Sequence, residues 1–154
     1  MQPGKMIGEA GVEILNAGTT PGRIAQIDAT ASTDPLGRIF SGALPLQASY
    51  PAVQIENFGE PEDCKDGLAK LFFTMTVIVW GENLPEVADI SNEVIKDLVG
   101  KRGTYGGYEI SGIRLGSIGP IIPREWKEDR RIYGRPLDFE VGAQFFVPMG
   151  VSLN

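Results

Sequence analysis

Histidine is absent from the 154 residues. That removes Ser-His-Asp and Cys-His nucleophilic mechanisms, imidazole metal ligands and the side chain that most readily moves protons near neutral pH. Cysteine is nearly absent as well. A single residue, Cys64, permits neither an internal disulfide nor a CxxC redox or metal pair, so the thiol count calls for no oxidising compartment. With no histidine to act as its base, Cys64 reads as a passive member of the polar stretch Glu60 to Asp66. Long apolar runs are missing. The longest, Leu71 to Trp80, is interrupted by Thr74 and Thr76 and reaches about half the length of a spanning helix. Near the start of the chain Gly8, Glu9, Gly11 and Glu13 break any apolar signal-peptide centre, so secretion by that route is not expected. An excess of positive charge is also lacking. Lys and Arg total 14 against 20 Asp and Glu, a net charge of −6 that repels a phosphate backbone and disfavours sequence-specific DNA binding. The wall of a conduit needs no such grip, so passage of nucleic acid nearby is compatible with this charge.

The chain is rich in turn formers, with 20 glycines and 11 prolines, and its length suits one domain. Pro3 to Leu15 spaces Met6, Ile7, Ala10, Ile14 and Leu15 as one face of a helix that Asn16 and Gly18 can end. Ala17 to Leu36 is small and polar without a sustained period, and reads as a long connection with about one helical turn. Arg38-Ile39-Phe40 is a short extended piece. Ala52 to Phe58 alternates Val53 and Ile55 with Gln54 and Glu56, as a half-buried strand does, and Pro51 can precede it without losing a ladder bond. Beyond a charged loop, Gly59 to Lys70, comes the strongest strand, Leu71 to Trp80, apolar enough on both sides for a central position.

Asn83 is placed to cap a helix with Glu86 three residues on and Pro85 in the first turn. Val87, Ile90, Val94, Ile95 and Leu98 form its stripe and Gly100 ends it. Tyr108 to Ile118 and Ile132 to Val147 are further strands around a charged span, Pro123 to Arg131. The last strand exceeds the usual five or six residues, which implies bending or a role beyond one sheet. One α+β domain over residues 1–154 is expected. It comprises an N-terminal helix and connection (1–36), a core (37–147) and a C-terminal tail (148–154). The sheet is antiparallel or mixed, with about four strands and helices packed on one side.

No arrangement of side chains demands catalysis, and no catalytic residue, cofactor or metal is expected. Gly103-Thr104-Tyr105-Gly106-Gly107 lacks the Lys-Ser/Thr of a phosphate loop and precedes a strand, so it reads as a hairpin or loop tip. Glu60, Glu62, Asp63 and Asp66 match no calcium-loop spacing and include Lys65 among them, the pattern of a solvated loop. Asp138 and Glu140, an imaginable acid and base, sit two apart on the outward side of a strand. The span Pro123 to Arg131 reads as a mixed-charge exposed loop. Within it, Trp126 among Arg124, Lys127, Arg130 and Arg131 is the kind of aromatic that anchors an interface, and these five residues are the candidate contact.

Several stretches together resemble the tail-completion, or tail-terminator, family of long-tailed bacteriophages and related tail-bearing particles. They are Gly37-Arg38-Ile39-Phe40 with Pro45 and Pro51-Ala52-Val53; Val77-Ile78-Val79-Trp80; the helix with Val87, Ala88 and Leu98; and Arg131-Ile132-Tyr133-Gly134-Arg135-Pro136-Leu137-Asp138-Phe139. The resemblance covers Gly37 to Val147. It implies a non-enzymatic virion subunit that forms a closed homo-oligomeric ring, usually a hexamer, at the head-proximal end of the tail. Its partners would be further copies of itself, the tail tube protein and a head-completion or neck protein, with DNA passing through the ring and no membrane involved. Assembly would take place in the host cytoplasm. The Ala17 to Leu36 connection and the continuation to Asn154 depart from the pattern. Two other readings compete: a head-closure or connector protein of the same neck, and a cytosolic α+β ligand-binding or histidine-independent enzyme domain.

Overall fold

The computed structural model describes residues 3–33, 37–45, 48–57, 69–127 and 130–145. Helix α1 spans Pro3–Ala17 and buries Ala10, Ile14 and Leu15. Instead of a loose connection, the chain then forms a two-turn helix, α2 (Thr20–Ile27), and a 3-10 turn over Ala29–Thr33. The local sequence conceals α2 because it has almost no stripe, burying only Thr20 and Ile24, and its N-cap Thr19 makes no side-chain cap bond of its own. The cap comes from elsewhere, as described below. Helix α3 spans Leu84–Leu98 and is announced by its sequence. Asn83 Oδ1 accepts from the Glu86 amide at 2.9 Å, and Glu86 Oε2 accepts from the Glu82 amide at 2.7 Å, so the reciprocal bond falls one residue earlier than a capping box prescribes.

Seven strands make one mixed sheet, where the sequence had suggested about four. They are β1 (Ile39–Ser41), β2 (Ala52–Asn57), β3 (Ala69–Gly81), β4 (Gly103–Tyr105), β5 (Tyr108–Ile118), β6 (Ile122–Lys127) and β7 (Arg130–Phe145). Their order is β1-β2-β3-β7-β5-β4, with β6 also on β7. Strand β1 is parallel to β2 and every other pairing is antiparallel. The glycine-rich segment is a hairpin between β4 and β5, with Gly106 and Gly107 both at positive φ, 57° and 83°. That pair of left-handed residues matches the twist of the flanking strands.

The length of β7 has a specific cause: one strand serves three. Residues 133–145 pair with β3, 137–144 with β5 and 130–134 with β6. Strands β5 and β6 run in one direction along the same side of β7, so they are two halves of a long strand interrupted at Gly119-Pro120-Ile121. The Gly119 amide donates to Pro136 O at 2.8 Å across the interruption.

All three helices lie on one face. There Phe73, Met75, Val77 and Val79 of β3 and Leu137, Phe139 and Val141 of β7 pack against Ile14, Leu15, Ile24, Val87, Ile90, Val94 and Leu98. The opposite face changes character along its length. Toward the middle, Thr76, Asp138 and Ser117 form one row and Thr74, Glu140 and Arg114 the next, all polar. At the end where β3 stops and β7 begins, a second, smaller core gathers Tyr50, Ala52 and Ile132, with Phe40, Leu44 and Trp80 packed on it.

Arg38 ties the N-terminal layer to this end. Its side chain, 3% exposed, donates to Asp28 at 2.7 Å, to Thr30 at 3.2 Å and to Pro51 O at 3.2 Å. The Arg38 bond, followed by those from Thr30, lowers the Asp28 carboxyl to a pKa of about 2. A depressed folded-state pKa stabilises the fold above the unfolded-state pKa, so this contribution is complete above pH ~4 and disappears as pH falls toward 2. Because Asp28 is partly exposed, screening reduces the contribution to about 1 kcal/mol. Asp28→Asn is therefore expected to lower the urea midpoint at pH 7 and to lower it much less at pH 2, where the native carboxyl is itself half protonated. An equal loss at both pH values would show that the ion pair is not the cause.

Candidate subunit interface

The span Pro123 to Arg131, read from sequence as a loop, is largely a β-hairpin. Lys127 pairs with Arg130, Trp126 with Arg131 and Pro123 with Tyr133, with an irregularity between Pro123 and Glu125. Charged residues on both sides and a proline near the strand start mask its period. The bulge shifts the alternation further. Apart from that irregularity, the described backbone of the span is thus already paired within the subunit.

This hairpin reaches past the rest of the sheet, because β3 ends at Gly81 opposite Tyr133 while β7 begins three residues earlier. We call the projecting part the arm. Two contacts brace it. Ile132 is fully buried in the small core, and Arg130 forms an ion pair with Glu82 just ahead of α3. Of the five candidate residues, Arg124, Arg130 and Arg131 are exposed on the arm. Trp126 and Lys127 are placed by their backbones opposite Arg131 and Arg130, and their side chains lie outside the described residues. The Arg124 stem crosses the face of Gly134, where an added Cβ would come within 2.6 Å of Arg124 Cδ, so glycine is what allows that side chain to lie flat there.

Sequence reasoning missed the surface beside the arm. Four neighbouring strands place Ala52, Trp80, Gly134 and Ile122 in one row on the helix-free face. Ile122 is 41% exposed, and Trp80 is half-buried with its indole N–H on Gln54 Oε1 at 3.0 Å. Only the registers of three separate strand pairs bring these residues into line, so no single stretch of sequence displays them.

The carboxylates considered for acid-base work are otherwise engaged. Asp138 accepts hydroxyl bonds from Thr76 at 2.6 Å and from Ser117 at 2.9 Å, and Glu140 pairs with Arg114 on the open sheet face. The acidic loop Glu60 to Asp66, Cys64 included, lies outside the described residues, as does 146–154. Among the described residues, no three carboxylates or thiols gather as a metal site and no helix is long and apolar enough to cross a membrane. Helix α3 and the residues just ahead of it are rich in acids. Residues 82–98 carry Glu82, Glu86, Asp89, Glu93 and Asp97 against the single Lys96. Burial raises the Glu86 carboxyl above the ordinary range, partly offset by the amide bond from Glu82.

No family model and no curated protein matches the chain. Among solved structures, a chain of the virion of a native gene transfer agent particle shares the fold at a TM-score of 0.64 and 13% identity, over 89% of this chain and 93% of that one. The likeness therefore takes in the helix layer and the sheet together.

Proposed function

We propose that this chain is a structural virion protein of a phage-like, tail-bearing particle. Within that class we assign it the role of tail terminator: a ring that caps the tail tube at its head-proximal end and joins it to the neck. The observation that carries the reading is the near end-to-end fold likeness to a chain of a gene transfer agent virion. The sequence resemblance supports the finer role. A head-closure or connector role in the same neck draws on the same likeness.

Closing a ring requires heterologous contacts, in which two different patches of the subunit meet, because a self-complementary pair cannot continue around an axis. A projecting, braced arm is suited to supply one of them. Light scattering at high protein concentration, followed by negative-stain imaging with and without isolated tail tubes, tests the role. Rings, either free or seated on tube ends, are expected. A strict monomer that ignores tube ends overturns the terminator reading, and rings that bind capsid portals but not tubes favour the connector.

Duplex DNA is expected to bind weakly at physiological salt. The charge of −6 per subunit opposes a polyanion, and the span 123–131 offers only four cations against three acids. A sub-micromolar, sequence-selective complex by fluorescence anisotropy would contradict this expectation.

A further inference from the structure

Resting on the ring reading, we infer that residues 146–154 of one copy add as a further strand to the outer edge of β5 in the next copy. Strand β4 covers that edge only as far as Ile110, and the Gly100 amide reaches Ile113 O at 2.8 Å. From Arg114 to Ile118, no described strand or backbone group pairs the side of β5 that faces away from β7. An open ladder is a template for an extended segment unless proline or charge guards it. Strand β6, next along the same edge, has such guards in Pro123 and exposed Arg124. On β5 the Arg114 guanidinium turns onto Glu140, and Leu115-Gly116-Ser117-Ile118 carries no guard.

The two faces of this edge select its occupant. Leu115 and Ile118 stand opposite Phe139 and Leu137 on the face that carries the helices, while Arg114 and Ser117 stand opposite Glu140 and Asp138 on the polar face. Leu137 is fully buried but Ile118 beside it is 50% exposed, so the core stops short at this strand. A segment that fits needs apolar residues at every second position and small or polar ones between them. Outside the described residues the chain has two stretches longer than three residues, 58–68 and 146–154. The first carries Glu60, Glu62, Asp63 and Asp66 without apolar alternation. The second sets Val147, Met149, Val151 and Leu153 against Pro148, Gly150, Ser152 and Asn154, in step with the core-facing residues of β7. Pro148 suits an outermost strand, one side of which makes no ladder bonds.

The end of β7 makes the donor a neighbouring copy. Gln144 lies opposite Glu109, in the part of β5 that β4 covers, whereas Ile118 lies opposite Leu137, seven residues back along β7 from Gln144 or roughly 24 Å. A segment running on from β7 leaves its own sheet at one end, and the open edge extends toward the other. Segment and edge are unlike patches, so each docking leaves one of either kind open and addition continues around an axis.

Ile118→Glu blocks the edge and Val151→Glu the strand that fits it. Each variant is expected to melt near wild type and to sediment as a monomer at concentrations where wild type forms rings. Mixed one to one, they are expected to form pairs that grow no further, because the first still donates residues 146–154 and the second still accepts them. A labelled peptide of residues 146–154 is expected to bind the Val151→Glu protein, to slow amide hydrogen exchange at 114–118 there, and to ignore the Ile118→Glu protein. Ile118→Val and Val151→Ile, which keep the apolar stripe, are expected to form rings. Rings from either Glu variant, a mixture that stays monomeric, or a peptide that leaves exchange at 114–118 unchanged overturn the strand addition while the ring reading stands. So does a Val151→Glu protein that melts far below wild type, since the segment then covers its own subunit. Wild type that never self-associates and never seats on a tail tube overturns both.

Discussion

Asp97→Ala is expected to lower the unfolding free energy by about 3 kcal/mol, a drop of roughly 10 °C in melting temperature for a chain of this length. Asp97 stands near the C-terminal end of α3, yet its carboxylate closes the N-terminus of α2. Oδ1 accepts from the Thr19 amide at 3.0 Å and its hydroxyl at 2.8 Å, and Oδ2 from the Thr20 amide at 2.7 Å and its hydroxyl at 2.6 Å. Burial alone would raise this carboxyl, but the donors of Thr20 and Thr19 outweigh it and hold the pKa below the ordinary carboxylate range. Truncation leaves a buried threonine hydroxyl and amides at a helix start without partners, which costs more than the bonds themselves contribute. Asp97→Asn puts an amide N–H where two donors already converge, so it is expected to recover only part of the loss. Because the pKa is lowered, the contribution is present above the unfolded-state value and is lost on acidification below pH ~4. Urea unfolding of both variants at pH 7 decides the matter. A loss under 1 kcal/mol for Asp97→Ala would mean that α2 is held by Ile24 and the helix layer alone.

Trp126→Ala is expected to leave the fold intact and to weaken assembly by about 2 kcal/mol or more, some thirtyfold in the association constant, if the arm lies at the centre of the contact. The backbone at Trp126 lies beyond the end of β3, on the part of β7 and β6 that only these two strands share. The competing outcome is equally concrete. If Trp126 covers its own subunit, the change lowers the melting temperature and the surviving folded protein assembles as before. Hydrogen exchange of residues 122–133 in subunit and ring provides a second readout, and equal protection in both states argues against a contact through the arm.

Much of the sheet's centre was legible before any coordinates. Strand β3 had apolar residues on both sides and proved central, and α3 carried its cap, its stripe and its terminating glycine in consecutive residues. The charged span 123–131 reads as a loop in the sequence because its pairing partner, not its own period, makes most of it strand. Strand β1 falls on the short extended piece at Arg38-Ile39-Phe40, but β1 and β4, of three residues each, are too short for alternation to show what they pair with. They exist because β2 and β5 offer them an edge.

What the sequence determined by itself is therefore what local rules carry: an α+β succession, the cap and stripe of α3, and the absence of histidine-based chemistry. Those follow from residue identity and short-range spacing. Tertiary structure alone decided the rest. It lent α2 a cap from a residue 77 positions away. It joined β5 and β6 into one broken strand along β7. It lined up Trp80, Gly134 and Ile122 from three strands on the helix-free face. Such features depend on the registers of long-range ladders, where a shift of one residue moves each side chain to the opposite face.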